Sequence, residues 1–409
     1  FPMTIEKALD LEPDLKEAYE NDREVTEIID MARKIEGNAR HCSVHAAGVV
    51  MAPEPLTEYV PLQREQKGNK IITQYDMHDV EEVGLIKFDF LGIRNLSILA
   101  HAVGIVEKTL GEKVDIENVP LDDKKVFEIL SRGETMGLFQ LNGAAMTRFL
   151  IDLKPTTIHD INAMIALYRP GPMKNIPDYI ARKHGKQAVS YYHPKMKNFL
   201  ERSYGILVYQ DDLLSAALEL AGYTWETVDK FRKAVGKKIP EEMAKQHKIF
   251  VEGCQKHSGM SKKEAEGLWD LFEPFQGYGF NKAHAASYGK VAYQTAYMKA
   301  NYPSEYMTAV LTAESGDVEE IARIVNECKR MELEVLPPDV NESFGGFTVL
   351  KDPDGNPKDD KIRFGLYTIK NLGEEISNVI ISERKKNGPY KSYQDFLERV
   401  RHQNLNKRS

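Results

Sequence analysis

From about residue 121 to 335, apolar residues recur three and four apart, punctuated by Gly and Pro. That period over so long a stretch leaves little choice but a stack of helices burying one face each. "DDKKVFEILSRG", "IHDINAMIALY" stopped by "RPGP", "QDDLLSAALELAGY", "PEEMAKQHKIFVEGCQKHSG" and "KKEAEGLWDLFE" all read this way. "HAASYGKVAYQTAYMKANYP" is expected to be one strong amphipathic helix, and "EEIARIVNECKRMELEV" another. Residues 1–40 are also helical in pattern, with Gly37 as a stop, and "NLSILAHAVGIVEKTLG" forms a helix ending near Gly111. Strands are predicted at "HAAGVVMAP", "IITQYD" and "VGLIKFDFLG", the last closed by Gly92. Residues 335–370 read as short strands around the "DPDGNP" turn, and 371–401 as mostly helix. The fold class expected is α+β, predominantly α-helical.

With 409 residues, two or three domains fit in the chain. No apolar run reaches the length of a membrane span, and no signal peptide opens the chain. Three widely spaced cysteines, Cys42, Cys254 and Cys328, argue against a zinc site or disulfide framework and for reduced thiols in a cytoplasmic protein. Net charge is −7, yet it is unevenly spread. Residues 1–40 carry eleven acids and six bases, whereas residues 168–203 carry eight bases and two acids. Residues 222–300 add thirteen bases against nine acids. A basic middle suits a face offered to polyanions; a set of solvated helix surfaces accounts for it equally well.

Four stretches carry chemistry. In "EEVGLIKFDFLGIRNLS", Asp89 stands between Phe88 and Phe90 in an apolar run. Such a carboxylate is paired, bound to metal, or on the exposed side of its strand. In "FQGYGFNKAHAASYG", a Gly-punctuated aromatic loop delivers Asn281, Lys282 and His284 to a helix start, where free N–H groups attract phosphate. The spacing is not that of a Walker A loop, and the three residues also suit a plain surface. In "IALYRPGPM", the prolines after Arg169 fix where its guanidinium points, toward a phosphate or its own helix end. "FRKAVGKKIPEEM" gathers Arg232, Lys233, Lys237 and Lys238, which fit a nucleic-acid backbone or a solvated helix end. In "HCSVHAAGVVMAP", Ser43 and His45 precede Gly48, where something can come close to the backbone, while a lone histidine at a strand start is more often a structural residue.

Taken together, the wording and order of "HAAGVVMAP", "KFDFLGIRNL", "GLFQLNGAAM", "ALYRPGP", "YGILVYQDDL", "GKKIPEEMAKQ", "GYGFNKAHAASYG", "VAYQTAYMKANYPSEYM" and "LPPDVN" resemble the alpha subunit of bacterial DNA polymerase III, a C-family replicative polymerase. The resemblance runs over nearly the whole chain. It implies template-directed addition of deoxynucleotides to a primer 3′-hydroxyl with two Mg2+ ions held by three carboxylates. Asp89 is the counterpart of the family's "KFDF" carboxylate. The D-x-D pair that supplies the other two does not occur in the matching stretch. Asp352-Pro-Asp354 is a turn signature and is rejected as a metal pair. With Phe1 in first place, the expectation is a partial chain whose magnesium site is completed by residues outside it.

By the same resemblance, residues 1–40 would be the end of a thumb and 41–94 part of a palm. Residues 95–334 would be helical fingers, 335–402 a small β/α subdomain, and 403–409 the start of a helix-hairpin-helix region. Asp89 would ligate metal. Lys87, Arg169, Asn281, Lys282, His284, Ser43 and His45 would surround the incoming triphosphate. Arg232, Lys233, Lys237 and Lys238 would contact DNA, and Tyr278 and Phe280 would either flank the nascent base pair or pack. Expected partners are primer-template DNA, deoxynucleoside triphosphates, a sliding clamp and a proofreading subunit, with no membrane. The alternative is a non-catalytic nucleotide- or DNA-binding module.

Overall fold

The structure is a computed structural model that describes residues 3–38, 42–65, 68–237, 240–272, 279–403 and 405, the side chains of 236, 237, 240 and 358 aside. It divides into two units, Phe1–Gly92 and Ile93–Ser409.

The first unit opens with three helices: α1 (Ile5–Leu11), α2 (Pro13–Asn21) and α3 (Arg23–Ile35). Thr4 caps α1 and Asp22 caps α3, each accepting backbone N–H groups through its side chain. Two antiparallel pairs follow. In one, β1 (Gly48–Met51) pairs with β4 (Ile86–Asp89), with Gly48 opposite Asp89 and Val50 opposite Lys87. In the other, β2 (Leu62–Arg64) pairs with β3 (Ile71–Thr73). A short helix, α4 (Met77–Glu82), lies between, and Val60, Val80 and Leu85 form a small core.

The second unit holds most of the chain. Its first helices are α5 (Arg94–Leu110), α6 (Lys124–Ser131), α7 (Ala144–Leu153), α8 (Ile158–Leu167) and α9 (Ile176–Lys183). Next come α10 (Lys197–Leu200), α11 (Gln210–Ala221), α12 (Trp225–Lys237), α13 (Pro240–Ser258) and α14 (Lys262–Asp270). Then α15 (Lys282–Asn301), α16 (Pro303–Ala313) and α17 (Val318–Arg330) lead to β5 (Glu334–Leu336), β6 (Thr348–Leu350) and β7 (Lys361–Arg363), which form one mixed sheet in the order β5-β7-β6. Two helices, α18 (Glu374–Asn387) and α19 (Tyr393–Arg399), end the described chain. The predominantly helical α+β class expected from the pattern is what is found.

Two large cores organise the unit. The first is centred on α15, which packs against α5, α6, α8 and α16. The second is enclosed by α10 to α14, where Phe231 stacks on Phe250 and Trp269 and Phe272 meet them edge to face. A smaller core of Leu372, Ile376, Ile380 and Tyr390 closes α18 and α19.

Two expectations need correction. The helix α15 is not one-sided but buried on most of its circumference, including Gln294, Thr295 and Lys299. Its polar residues are inside because each has a partner: Gln294 Nε2 donates to Ile116 O, Thr295 Oγ1 to Ala292 O, and Lys299 Nζ to Glu134 O, Met136 O and Glu327 Oε1. Small residues allow neighbouring helices to close in; a Cβ on Gly289 would lie 1.7 Å from Asn162 Oδ1 of α8. The second correction concerns the strand around Asp89. It covers only Ile86–Asp89, because Val83 and Gly84 turn out of α4, with Gly84 at a φ of +87°. Its apolar residues are not packed away: Ile86, Phe88 and Phe90 are 59%, 45% and 62% exposed. The "DPDGNP" segment is a turn, as expected, in which Asp352 accepts the N–H groups of Asp354 and Asn356.

Candidate nucleotide and nucleic-acid site

In the first unit the alternation of β4 puts Lys87 and Asp89 on one face. The Asp89 side chain is 65% exposed, so its place in an apolar run carries no burial cost. Lys87 is paired: its Nζ lies 3.0 Å from Glu81 Oε1. His45 Nδ1 accepts the N–H groups of Gly48 (2.6 Å) and Ala47 (3.3 Å), which leaves the ring proton on Nε2. What comes close to Gly48 is therefore the His45 ring itself; a Cβ there would sit 2.8 Å from Nδ1. Asp89 Oδ1 is 3.8 Å from the same Nδ1, two acceptors side by side and not a hydrogen bond. Ser43 is exposed just before β1.

This set does not fit a magnesium ion by itself. A hard dication wants about six oxygen ligands, and Asp89 offers a lone carboxylate. Among the described residues no three His, Cys, Asp or Glu side chains converge as a metal cluster.

In the second unit the chain brings together residues far apart in sequence. Arg169 follows α8, and its guanidinium lies over the Phe280 ring, 4.1 Å from the centroid. It does not cap its own helix. Phe280 is 8% exposed and belongs to the first core, so it packs and is not free to meet a base. Directly after it, Asn281 caps α15 by accepting the His284 N–H at 3.0 Å. Lys282 Nζ stands 5.6 Å from the Tyr209 ring centroid, and the His284 ring lies between those of Phe280 and Tyr288. Arg169, Asn281, Lys282 and His284 all remain exposed.

The segment before α11 grips this loop. Tyr209 and Phe280 form a parallel bridge, and the Gln210 N–H donates to Phe280 O at 2.9 Å. Asp211 Oδ2 accepts the Lys282 N–H at 3.0 Å. The start of α15 is therefore less open than its sequence implies, since Asp211 and Asn281 already take two of its N–H groups.

Asp212, nearly fully buried, turns away from this end and accepts the N–H groups of Val208 and Tyr209. Burial pushes its carboxyl up to about 6, against those two hydrogen bonds and the Lys282 charge, which act to lower it. The folded state therefore holds the Asp212 proton more tightly than the unfolded chain, and this group's contribution to stability falls as pH rises from about 4 through about 6. Measured by denaturant unfolding, wild type is expected to lose about 3 kcal/mol relative to Asp212→Asn between pH 4 and pH 7, the value of about two pKa units. A pH-independent difference would contradict the burial argument.

Against this geometry, residues 95–258 match the family model of the bacterial DNA polymerase III alpha subunit finger domain. Residues 1–92 match that of the bacterial DNA polymerase III alpha NTPase domain, and 332–409 a helix-hairpin-helix motif. The DNA polymerase III subunit alpha of Thermus aquaticus is 45% identical over 413 residues, covering 100% of this chain and 33% of that protein. That of Escherichia coli K12 is 42% identical over 417 residues, covering 99% of the chain and 35% of that protein. The chain belongs to the bacterial DNA polymerase III alpha family. It spans about a third of the length of the curated relatives it matches.

In this member of the polymerase III alpha family, Arg232 and Lys233 lie on α12 and both pair with Asp229 at 2.8 Å, which offsets part of their charge. Lys238 and Tyr278 lie outside the described residues, as does the Lys237 side chain. Other residues near Lys282 were not anticipated. Burial, Arg202 and Lys282 together hold the His159 imidazole below its usual pKa, against Asp160, so His159 is neutral beside two cations at pH 7. The adjacent acids of "QDDL" are a helix-start signature, but nothing in the sequence connects them with a loop beginning at residue 279. Among the described residues no helix is long and apolar enough to cross a membrane.

Proposed function

We propose that this chain binds primer-template DNA and deoxynucleoside triphosphates as part of a template-directed DNA polymerase. The observation that carries this reading is the meeting, at Phe280, of Arg169 and the Asn281–Lys282–His284 group that follows it in the chain. A guanidinium lying over a ring keeps its N–H edges available for phosphate oxygens. With Lys282 two residues beyond the Phe280 ring it covers, Arg169 gives a triphosphate two cations to span. The same reading gives Arg232, Lys233, Lys237 and Lys238 the DNA backbone, and Ser43, His45 and Lys87 the surroundings of Asp89. Asp89 is proposed as the carboxylate this chain offers to Mg2+, which when bound would activate the primer hydroxyl and neutralise phosphate charge. Three unpaired cysteines suit the cytoplasmic setting the reading includes. A sliding clamp and a proofreading subunit are proposed as further partners.

The test is steady-state primer extension in the whole protein that carries this chain. Lys282→Ala is expected to raise the nucleotide KM and lower kcat, with a combined loss of about a hundredfold in kcat/KM, because a phosphate contact serves both binding and the transition state. Asp89→Asn should nearly abolish extension while primer-template affinity stays unchanged. Retained turnover in the second variant removes Asp89 from the chemistry. A protein that binds DNA and nucleotide without extending a primer would instead be the non-catalytic module.

A further inference from the structure

We infer that Asp211 is a positioning residue for the nucleotide site: its carboxylate holds the first turn of α15 in place while occupying ground that a phosphate oxygen would favour. This rests on the nucleotide reading above and deepens it.

A helix start leaves about four N–H groups without intrahelical partners and carries a partial positive charge. In α15 the Lys282 N–H goes to Asp211 Oδ2, and the His284 N–H to Asn281 Oδ1. Asn281 caps its own helix, as its type favours. Asp211 is different, since it arrives from another helix across 71 residues of sequence. It cannot drift away, because the backbone beside it is fastened to the same loop. The Gln210 N–H donates to Phe280 O, Tyr209 bridges Phe280, and a Cβ on Gly279 would lie 3.0 Å from the Gln210 Cβ. The neighbouring Asp212 faces the opposite way, onto Val208 and Tyr209. Asp211 therefore brings a negative charge to the start of α15, beside Lys282 and the loop whose Phe280 ring lies under Arg169.

Two effects of opposite sign follow. As an acceptor, Asp211 fixes where α15 begins and hence where Lys282 and His284 project. As an anion, it repels the phosphates those residues would hold. Substitution separates them. Asn keeps an oxygen for the Lys282 N–H and loses the charge; Ala loses both.

The probe is dATP in magnesium buffer, titrated calorimetrically into the whole protein that carries this chain and its variants. Asp211→Asn is expected to bind about threefold more tightly than wild type, the size of one screened charge at several ångströms, with the gain shrinking as salt is added. Asp211→Ala should bind about fivefold more weakly than Asp211→Asn, the worth of one hydrogen bond. A residue with a purely structural role would not improve binding when its charge alone is removed. Amide hydrogen exchange at Lys282 gives a readout without nucleotide: it should quicken in Asp211→Ala and stay as in wild type in Asp211→Asn. Unchanged exchange in Asp211→Ala overturns the inference, as does Asp211→Asn binding no better than wild type. If wild type binds no dATP while Lys282 exchange follows the expected pattern, the nucleotide reading fails, taking the phosphate role with it, and the hold on α15 stands.

Discussion

Lys299→Met is expected to destabilise the second unit by about 3–5 kcal/mol, the cost of removing one partner from a buried ion pair. Lys299 is 1% exposed, on the face of α15 that meets the 134–136 segment and α17. Its ammonium has three acceptors in good geometry: Glu134 O at 3.0 Å, Met136 O at 2.9 Å and Glu327 Oε1 at 2.6 Å. Methionine matches the stem in volume, so little of the loss comes from a cavity. The cost lies in two backbone carbonyls and a carboxylate left short of a donor away from water. Arg330 also bonds Glu327 and softens the last of these, which places the expected effect toward the lower end of the range. Urea unfolding followed by circular dichroism measures it. A loss under about 1 kcal/mol would mean that water reaches these acceptors.

Gly253→Ala is expected to destabilise the second core by about 3 kcal/mol, opposite in sign to what helix propensity alone gives. Gly253 is inside α13, where alanine should gain about 1 kcal/mol. Here, however, a Cβ would lie 2.2 Å from the Ala221 carbonyl oxygen and 3.0 Å from its carbon. Those are backbone atoms at the end of α11, so no side-chain rotation relieves the overlap; α13 and α11 must move apart. Separation of that kind loosens the packed rings of Phe231, Phe250 and Phe272, and overpacking of this sort typically costs about 1–3 kcal/mol or more. Trp269, 8% exposed among those rings, is a built-in fluorescence probe of the transition. A stabilised variant would show that the two helices are not held at this distance.

Much of the architecture was legible because it rests on local chemistry. Helix ends fell where Gly, Pro and capping side chains put them: Gly111 closes α5 with a φ of +69°, and the prolines after Leu167 end α8. What periodicity could not show was which polar residues go inside. Lys299 and Gln294 read as solvent-facing until their partners, more than 160 residues away for Glu134 and Ile116, are known. The candidate site divides in the same way. Lys282 and Arg169 stood out because glycine and proline flank them, a local signal. Asp211, His159 and Arg202 did not, because their relation to the site exists only in the folded chain. Asp89 was conspicuous for its apolar neighbours, and those neighbours are themselves exposed, so the contrast that drew attention to it is one of sequence and not of burial.

The Tyr209–Phe280 bridge has a bearing on how this chain can change over time. The backbone leaves the first core at Tyr209 and rejoins it at Phe280, with the ends of the excursion paired. Most of what lies between, from Leu213 to Phe272, contributes to the second core and not the first, and Met196 and Leu200 join that core from before Tyr209. Such an excursion behaves as an insertion whose two ends meet, the arrangement that tolerates lengthening, trimming or replacement with least disturbance to its host. The segment between the paired ends can thus vary in surface and length while it keeps the face it shares with Met196 and Leu200, and Arg169, Lys282 and the loop that carries them keep their places.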